Sequence, residues 1–392
     1  MSGTPRRVGI LTGGGDVPGL NAVIKSAALH LEEAGCEVLG IRRGWAGLLH
    51  ASPEPGADNG EWIVPLDRRS TRAVDREGGT FLHTSRTNPA LLPRHRVPER
   101  LRSRRRAGDG TGLVDFTDEV VANLAALKFD TLIAIGGDGT LSFARRLHQE
   151  GVPLVAVPKT MDNDVPGTDY CLGFSTAVTR TVELISSLRT VAGSHERILV
   201  VEVFGRRSGE PCLMAAHLSG ADRAVIAEVP FEVEAVASLL ARDRMESPSR
   251  YAVVVVSEGS RPVGGAAFTR GERERDPAGN PKLGGVGEFL AGGIERAAGI
   301  RTICQTLGYL LRAGRPDALD LLVAKSFGQL AAELVLAGET GKMAAVVEGR
   351  YAAADLGKVE PGRSKLDLER FYDRPQYRPR FTGLIGLPMF LH

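Results

Sequence analysis

Three short stretches combine glycines with carboxylates and hydroxyls in ways that suit phosphate chemistry. The first reads Thr12-Gly13-Gly14-Gly15-Asp16-Val17-Pro18-Gly19, between a strand-like run and a helix-like run beginning near Leu20. Glycines placed there let the backbone approach an anion, where free N–H groups and the helix dipole favour negative charge. The stretch matches neither a Walker A loop nor the dinucleotide fingerprint, and a tight structural turn is its other reading. The second, Gly136-Gly137-Asp138-Gly139-Thr140, sets an aspartate at a strand end among glycines. Such an aspartate can reach Mg²⁺ while adjacent amides hold phosphate oxygens, or it can simply cap the following helix.

The third stretch is Pro158-Lys159-Thr160-Met161-Asp162-Asn163-Asp164, followed by Gly167-Thr168-Asp169. It gathers two carboxylates, a hydroxyl and a lysine where ligands of open α/β sheets bind, beyond the carboxyl end of a strand. In an extended segment Thr160, Asp162 and Asp164 share one face. One carboxylate can take the proton of a sugar hydroxyl attacking a phosphoryl group, while the other positions it or a metal. An Asx-turn loop carrying surface charges is the alternative.

The elements that must position these residues are legible as short apolar runs: Val8 to Thr12, Thr131 to Ile135, Leu154 to Val157, Ile198 to Val203, Ala224 to Val229 and Ala252 to Val256. Each is nearly continuous in Val, Ile, Leu and Ala, the pattern of strands covered by helices on both faces. Amphipathic segments lie between them, including Leu20 to Glu33, Thr117 to Leu127, Phe174 to Leu188 and Ala318 to Leu336. Strand and helix alternating in this way predicts an α/β protein with largely parallel sheets.

Composition narrows the function classes. The 392 residues include 48 glycines, with 43% hydrophobic and 24% charged residues, as in a soluble chain long enough for two lobes. A net charge of +2 gives no general attraction to nucleic acid or anionic membrane, so a bound anion must be held locally. No apolar stretch approaches the roughly 18 residues of a membrane helix, and the first residues lack an apolar signal core; a cytoplasmic location is expected. Cys36, Cys171, Cys212 and Cys304 lack the spacing of a zinc site and read as reduced thiols. Arg94 to Arg106 is strongly basic but has no interleaved aromatics, and it reads as a solvated arm. Arg270 to Gly287 reads as a surface excursion, and the apolar Gly383 to His392 as a segment that docks on the body.

Taken together and in this order, GGGDVPGLN, GGDGT and PKTMDND resemble the 6-phosphofructokinases of the bacterial type A family. The likeness continues in Arg197 with ILVVEVFGR, in Val255 to Gly259 and in Leu307 to Arg312. Thr84 to Pro89 and the region from Arg378 to Phe390 resemble its mixed-substrate (group III) subfamily, whose members use ATP or pyrophosphate. The resemblance implies two Rossmann-like lobes with the active site in the cleft between them. Residues 1–172 plus about 313–362 would bind nucleotide and Mg-phosphate, and about 173–312 plus 363–392 would bind fructose 6-phosphate.

The resemblance also implies roles. Gly15, Arg86, Thr87, Gly137, Asp138, Gly139 and Thr140 would hold the donor phosphates, with Asp138 on Mg²⁺. Asp162 would be the base on the 1-hydroxyl of fructose 6-phosphate, flanked by Thr160 and Met161. Phe204, Gly205, Arg206, Glu258, Tyr309, Leu310, Leu311 and Arg312 would contact the sugar phosphate, with Arg197 supplied across a subunit interface of a homodimer or homotetramer. Gly139 matches ATP users and Lys159 is shared with pyrophosphate users; the steric argument at Gly139 favours ATP. Ile303 stands where the family usually has an arginine, leaving Arg301 as a substitute, and Tyr309 stands where many members have histidine. Lys25 is followed by Leu29 where regulated enzymes keep an arginine pair, which argues against an effector phosphate there.

Overall fold

The computed structural model describes residues 6–102, 112–269, 283–358 and 364–392. The chain folds into two compact units, Met1–Thr160 with Val165–Thr168 and Gly314–Pro361, and Met161–Asp164 with Asp169–Ala313 and Gly362–His392. In chain order the first unit holds β1 (Arg7–Gly13), α1 (Leu20–Glu33), β2 (Glu37–Ile41), α2 (Trp45–His50), β3 (Ile63–Pro65), β4 (Leu92–Pro93), β5 (Leu113–Val114), α3 (Thr117–Ala126), β6 (Thr131–Gly136), α4 (Asp138–Gln149) and β7 (Leu154–Pro158). The second unit follows with α5 (Phe174–Ser194), β8 (Ile198–Val203), α6 (Glu210–Ser219), β9 (Arg223–Val225), α7 (Val233–Glu246), β10 (Ala252–Ser257), α8 (Val286–Ala298) and β11 (Thr302–Thr306). The chain returns to the first unit for α9 (Ala318–Leu336), β12 (Lys342–Val347) and β13 (Arg350–Asp355). It then adds α10 (Leu368–Phe371), β14 (Tyr372–Asp373) and β15 (Arg378–Pro379) to the second.

The sheet of the first unit runs β13-β12-β7-β6-β1-β2-β3. Its five inner strands are parallel and its two edge strands antiparallel. Every residue of β6 and β7 is buried, which accounts for their unbroken apolar runs. On this sheet β2 lies to one side of β1 and β6 to the other. The strand order therefore changes direction at β1, and the crevice beyond its carboxyl end is the favoured ligand position.

The sheet of the second unit, β11-β8-β10-β9, is parallel throughout. Val253 to Val256 of β10 are fully buried, each stabilising the fold by about 1.5 kcal/mol or more. Glu202 interrupts the apolar run of β8 at 2% exposure. Its carboxylate accepts the N–H groups of Gly285 and Gly287, at 3.1 and 2.8 Å, at the start of α8. A buried charge is tolerated there because it satisfies helix-end donors that have no partner within the helix.

Several expectations shift against this structure. The helix expected over Phe174 to Leu188 continues to Ser194, and the run Ala224 to Val229 keeps only Arg223–Val225 as strand. β2, β11 and β12 are not announced by unbroken apolar runs; β11 is an edge strand, without a fully buried residue. In the basic stretch Arg94, His95 and Arg96 are exposed, but Arg100 turns inward. It pairs with the buried Glu119 at 2.8 Å and donates to the Leu49 carbonyl, so it is no solvated arm at that point. Residues 103–106 of that stretch, and residues 270–282 of the expected excursion, lie outside the described residues. None of the four cysteines is joined in a disulfide. Among the described residues no helix is long and apolar enough to cross a membrane.

Candidate active site

In the first unit three strands end level: Gly13 of β1 lies opposite Gly136 of β6, and Gly136 opposite Pro158 of β7. A Cβ on either Gly13 or Gly136 would collide with the side chain of Thr140, which is 5% exposed in the first turn of α4. Glycine is thus required at both strand ends for α4 to start so close above them. Gly14 takes a left-handed φ of 85°. Its N–H donates to the Ser85 carbonyl at 2.8 Å, and Thr84 Oγ1 donates to the Gly14 carbonyl at 2.8 Å. These two bonds tie the 84–87 segment, and with it Arg86 and Thr87, to the loop that holds Gly15.

Lys159 joins the same set. It is 4% exposed, its Nζ donates to the Gly15 carbonyl at 2.5 Å, and its N–H donates to the Gly136 carbonyl at 3.0 Å. The glycine loop, the GGDGT loop and the end of β7 are therefore held together by main-chain and lysine contacts. Asp138 is half-buried at the start of α4, where the helix dipole favours a carboxylate or a phosphate. Among the described residues no group of three His, Cys, Asp or Glu could hold a metal. A single carboxylate beside a glycine loop suits Mg²⁺, which takes its remaining ligands from phosphates and water. Gly139 is exposed, and a Cβ there would meet nothing within 4 Å. Unlike Gly13 and Gly136, it is not demanded by the fold. Lys25, in α1, is committed to an ion pair with Asp75 at 2.8 Å.

The acceptor residues named from the sequence gather in the second unit, at the carboxyl edge of its sheet. Phe204, Gly205 and Arg206 follow β8, Glu258 follows β10, and Tyr309 to Arg312 follow β11. Glu258 N–H donates to the Val203 carbonyl at 2.9 Å, Gly259 N–H to the Gly205 carbonyl at 3.2 Å and Leu307 N–H to the Glu202 carbonyl at 3.0 Å. Gly205 adopts φ 133°, and a Cβ there would meet the Ser208 carbonyl at 2.7 Å. The Arg312 guanidinium lies 4.7 Å from the centroid of the Phe204 ring. Tyr309 is 80% and Leu310 54% exposed. Met161 and Leu311, also named from the sequence, have buried side chains and can offer a ligand little beyond their backbone.

Asp162 belongs to this cluster. Its Oδ2 accepts the Arg206 N–H at 3.0 Å. Burial, then the nearby carboxylates of Asp164 and Glu258, push its pKa up to about 8, against the Arg206 bond and the Arg312 charge that lower it. The extended geometry expected for this loop is not what brings the carboxylates together. Met161 and Asp162 form a turn and Asn163 is left-handed at φ 51°, so Asp162 and Asp164 flank a reversal of the backbone. Thr160 falls in the first unit, one residue before the chain passes into the second. Arg197 is not brought to the cluster: it precedes β8, at the amino end of the strand whose carboxyl end carries Phe204 to Arg206. Glu295 lies within electrostatic reach of Arg197 and Arg301 there, and its pKa is lowered, first by the Thr302 N–H.

Sequence reasoning overlooked the buried side chain of Asn163, whose only signal is an asparagine, tolerant of positive φ, between two aspartates.

Comparison with known proteins bears on the whole chain. The family model described as phosphofructokinase matches residues 7–335. The chain is 39% identical over 368 residues to the pyrophosphate–fructose 6-phosphate 1-phosphotransferase of Amycolatopsis methanolica, covering 91% of this chain and 97% of that protein. It is 36% identical over 341 residues to the ATP-dependent 6-phosphofructokinase 3 of Streptomyces coelicolor, covering 87% and 90% respectively. Its fold is similar to the pyrophosphate-dependent phosphofructokinase of Nitrosospira multiformis, with TM-score 0.75 at 18% identity over 95% of this chain and 89% of that one. The glycine loops, the clustered carboxylates and these likenesses agree that the chain belongs to the phosphofructokinase family.

Proposed function

We propose that this protein transfers the terminal phosphoryl group of ATP to the 1-hydroxyl of fructose 6-phosphate, giving fructose 1,6-bisphosphate and ADP. The observation that carries the reading is the acceptor cluster, in which Asp162 is bound to the Arg206 amide beside Glu258 and Arg312. Asp162 takes the hydroxyl proton as that oxygen bonds to phosphorus and the bond from phosphorus to the leaving oxygen of ADP breaks. Arg206 and Arg312 attract the sugar phosphate, and Glu258 accepts hydroxyl hydrogen bonds. Arg86, Thr87 and the amides of Gly15 and of Gly137 to Thr140 hold the donor phosphates, with Asp138 directed to Mg²⁺. When bound, the ion neutralises phosphate charge. Arg197 would serve a second copy of the chain, in a homodimer or homotetramer working in cytoplasmic glycolysis.

ATP is favoured by the open space at Gly139, where an aspartate would crowd the rest of a nucleotide and repel its α-phosphate. A second reading, with pyrophosphate as donor, is favoured by Lys159, whose ammonium reaches the carbonyl of Gly15, and by the name of the Amycolatopsis methanolica relative. An aldolase-coupled assay with fructose 6-phosphate, Mg²⁺ and one donor at a time separates them. Turnover with ATP supports the first reading, turnover with pyrophosphate alone replaces it with the second, and turnover with neither rejects both.

A further inference from the structure

Asn163 is fully buried, and each polar group of its side chain is used. Oδ1 accepts the Cys171 N–H at 2.8 Å, while Nδ2 donates to the Asp169 carbonyl at 3.0 Å and to Glu210 Oε2 at 3.2 Å. Glu210 is also fully buried, in the first turn of α6. Its other oxygen, Oε1, accepts the N–H of Leu391 at 3.0 Å, and His392 Nδ1 lies 3.5 Å from Oε2. Leu391 is itself buried, its carbonyl accepting the Asp367 N–H at 2.8 Å. Beside it the Phe390 ring lies 5.4 Å from Tyr170 and 6.2 Å from Phe174, centroid to centroid.

A carboxylate sealed from water is a costly way to join two segments, and an apolar contact would hold them with less desolvation. What the carboxylate adds is direction: one oxygen for each partner. We propose that Glu210, seated by the Leu391 N–H, is a positioning residue that fixes the Asp162 carboxylate by clamping Asn163. The left-handed backbone of Asn163 carries Asp162 on one side and Asp164 on the other. Rotation or drift of that residue moves both carboxylates, and a displacement of about 1 Å at a reacting group is worth about a hundredfold in rate. A residue 181 positions beyond Glu210 in sequence thus bears on the geometry of the PKTMDND loop. The proposal rests on the reading of Asp162 as the base.

The test is a swap. Asn163→Asp sets two carboxylates against each other, and Glu210→Gln added to it restores a donor facing an acceptor. The single change is expected to lower kcat about a hundredfold with KM for fructose 6-phosphate within about threefold, and the double change to regain at least about tenfold. A double variant no faster than Asn163→Asp would overturn the coupling. A chain stopped after Phe390 gives a second, substrate-free readout: amide exchange at Cys171, whose N–H is held by Asn163, is expected to accelerate at least about tenfold while the melting temperature shows the fold retained. Unchanged exchange at Cys171 in that folded variant would equally overturn it. If the parent chain turns over neither donor, the assignment of Asp162 fails, and the exchange result still decides whether the chain end at Leu391 holds the loop.

Discussion

At the carboxyl edge of the seven-stranded sheet glycine-loop amides stand beside a few charged side chains, Asp138 and Lys159 among them, whereas at the carboxyl edge of the four-stranded sheet side-chain charges predominate. The first edge is packed around Thr140 and laced by backbone bonds, with Lys159 across it. The second buries Asp162 and sets Asp164 and Glu258 near it, so that Asp162 resists ionisation. A polyphosphate brings its own charge and its own metal, and needs a cradle that is already in place. A sugar hydroxyl must lose a proton, and needs a base whose affinity for that proton has been raised. The two edges differ in what shapes them: close backbone packing in one, burial of neighbouring carboxylates in the other.

The largest effect expected from breaking this contrast is at the charged edge. Asp162→Asn keeps shape and removes the proposed base, and kcat should fall about 10³-fold while calorimetry still finds fructose 6-phosphate binding. Retained turnover would leave Asp162 with a structural part only. At the glycine-loop edge, Gly139→Asp should shift preference from ATP toward pyrophosphate by about a hundredfold in the ratio of kcat/KM values, with the fold retained because a Cβ there meets nothing within 4 Å. Unchanged donor preference would remove Gly139 from the donor site. Gly136→Ala, by contrast, must displace Thr140 and should destabilise the fold by about 1–3 kcal/mol in denaturant unfolding, where Gly139→Ala costs nothing measurable. Equal behaviour of the two alanine variants would show that the steric reading of the strand ends is mistaken.

The smallest effect is on stability against pH. The Asp162 carboxyl ionises near pH 4 in an unfolded chain and at about 8 in the folded one. Folding is then favoured fully below pH 4 and loses that advantage as pH rises toward 8. Asp162→Asn removes the penalty, so its melting temperature should exceed that of the parent at pH 8, and by less at pH 5. A gain equal at both values would mean that ionisation is not the cause.

How far each edge is legible in the sequence follows from the same contrast. Gly13 to Gly15 and Gly136 to Gly139 announce themselves because a close backbone approach can be met only by local residue type. The helices flanking the first sheet also follow from local periodicity, and Leu20–Glu33 and Ala318–Leu336 fall where the apolar pattern sets them. The charged edge is assembled from loops after three strands distant in sequence, and no local pattern says that Asp162 meets the Arg206 amide. The turn at Asn163 defeats the alternation rule, since a left-handed residue breaks the two-residue period on which shared faces depend. Arg197, expected from the sequence to serve a second copy, is kept apart from Arg206 by strand geometry: six strand residues at about 3.3 Å each put roughly 20 Å between the two ends. Arg100 is the converse case, a basic residue whose buried acid, Glu119, lies 19 residues on.

The most direct measurement of the difference between the edges is the pH dependence of kcat/KM for the parent chain beside Asp164→Asn. The acid limb should fall far above the ordinary carboxylate range, toward the value of about 8 set by burial and by Asp164 and Glu258, and should move to lower pH when Asp164 loses its charge. A limb near pH 4 that stays in place in the Asp164→Asn variant would contradict the account of Asp162 as a base held out of ionisation by burial and by its neighbours.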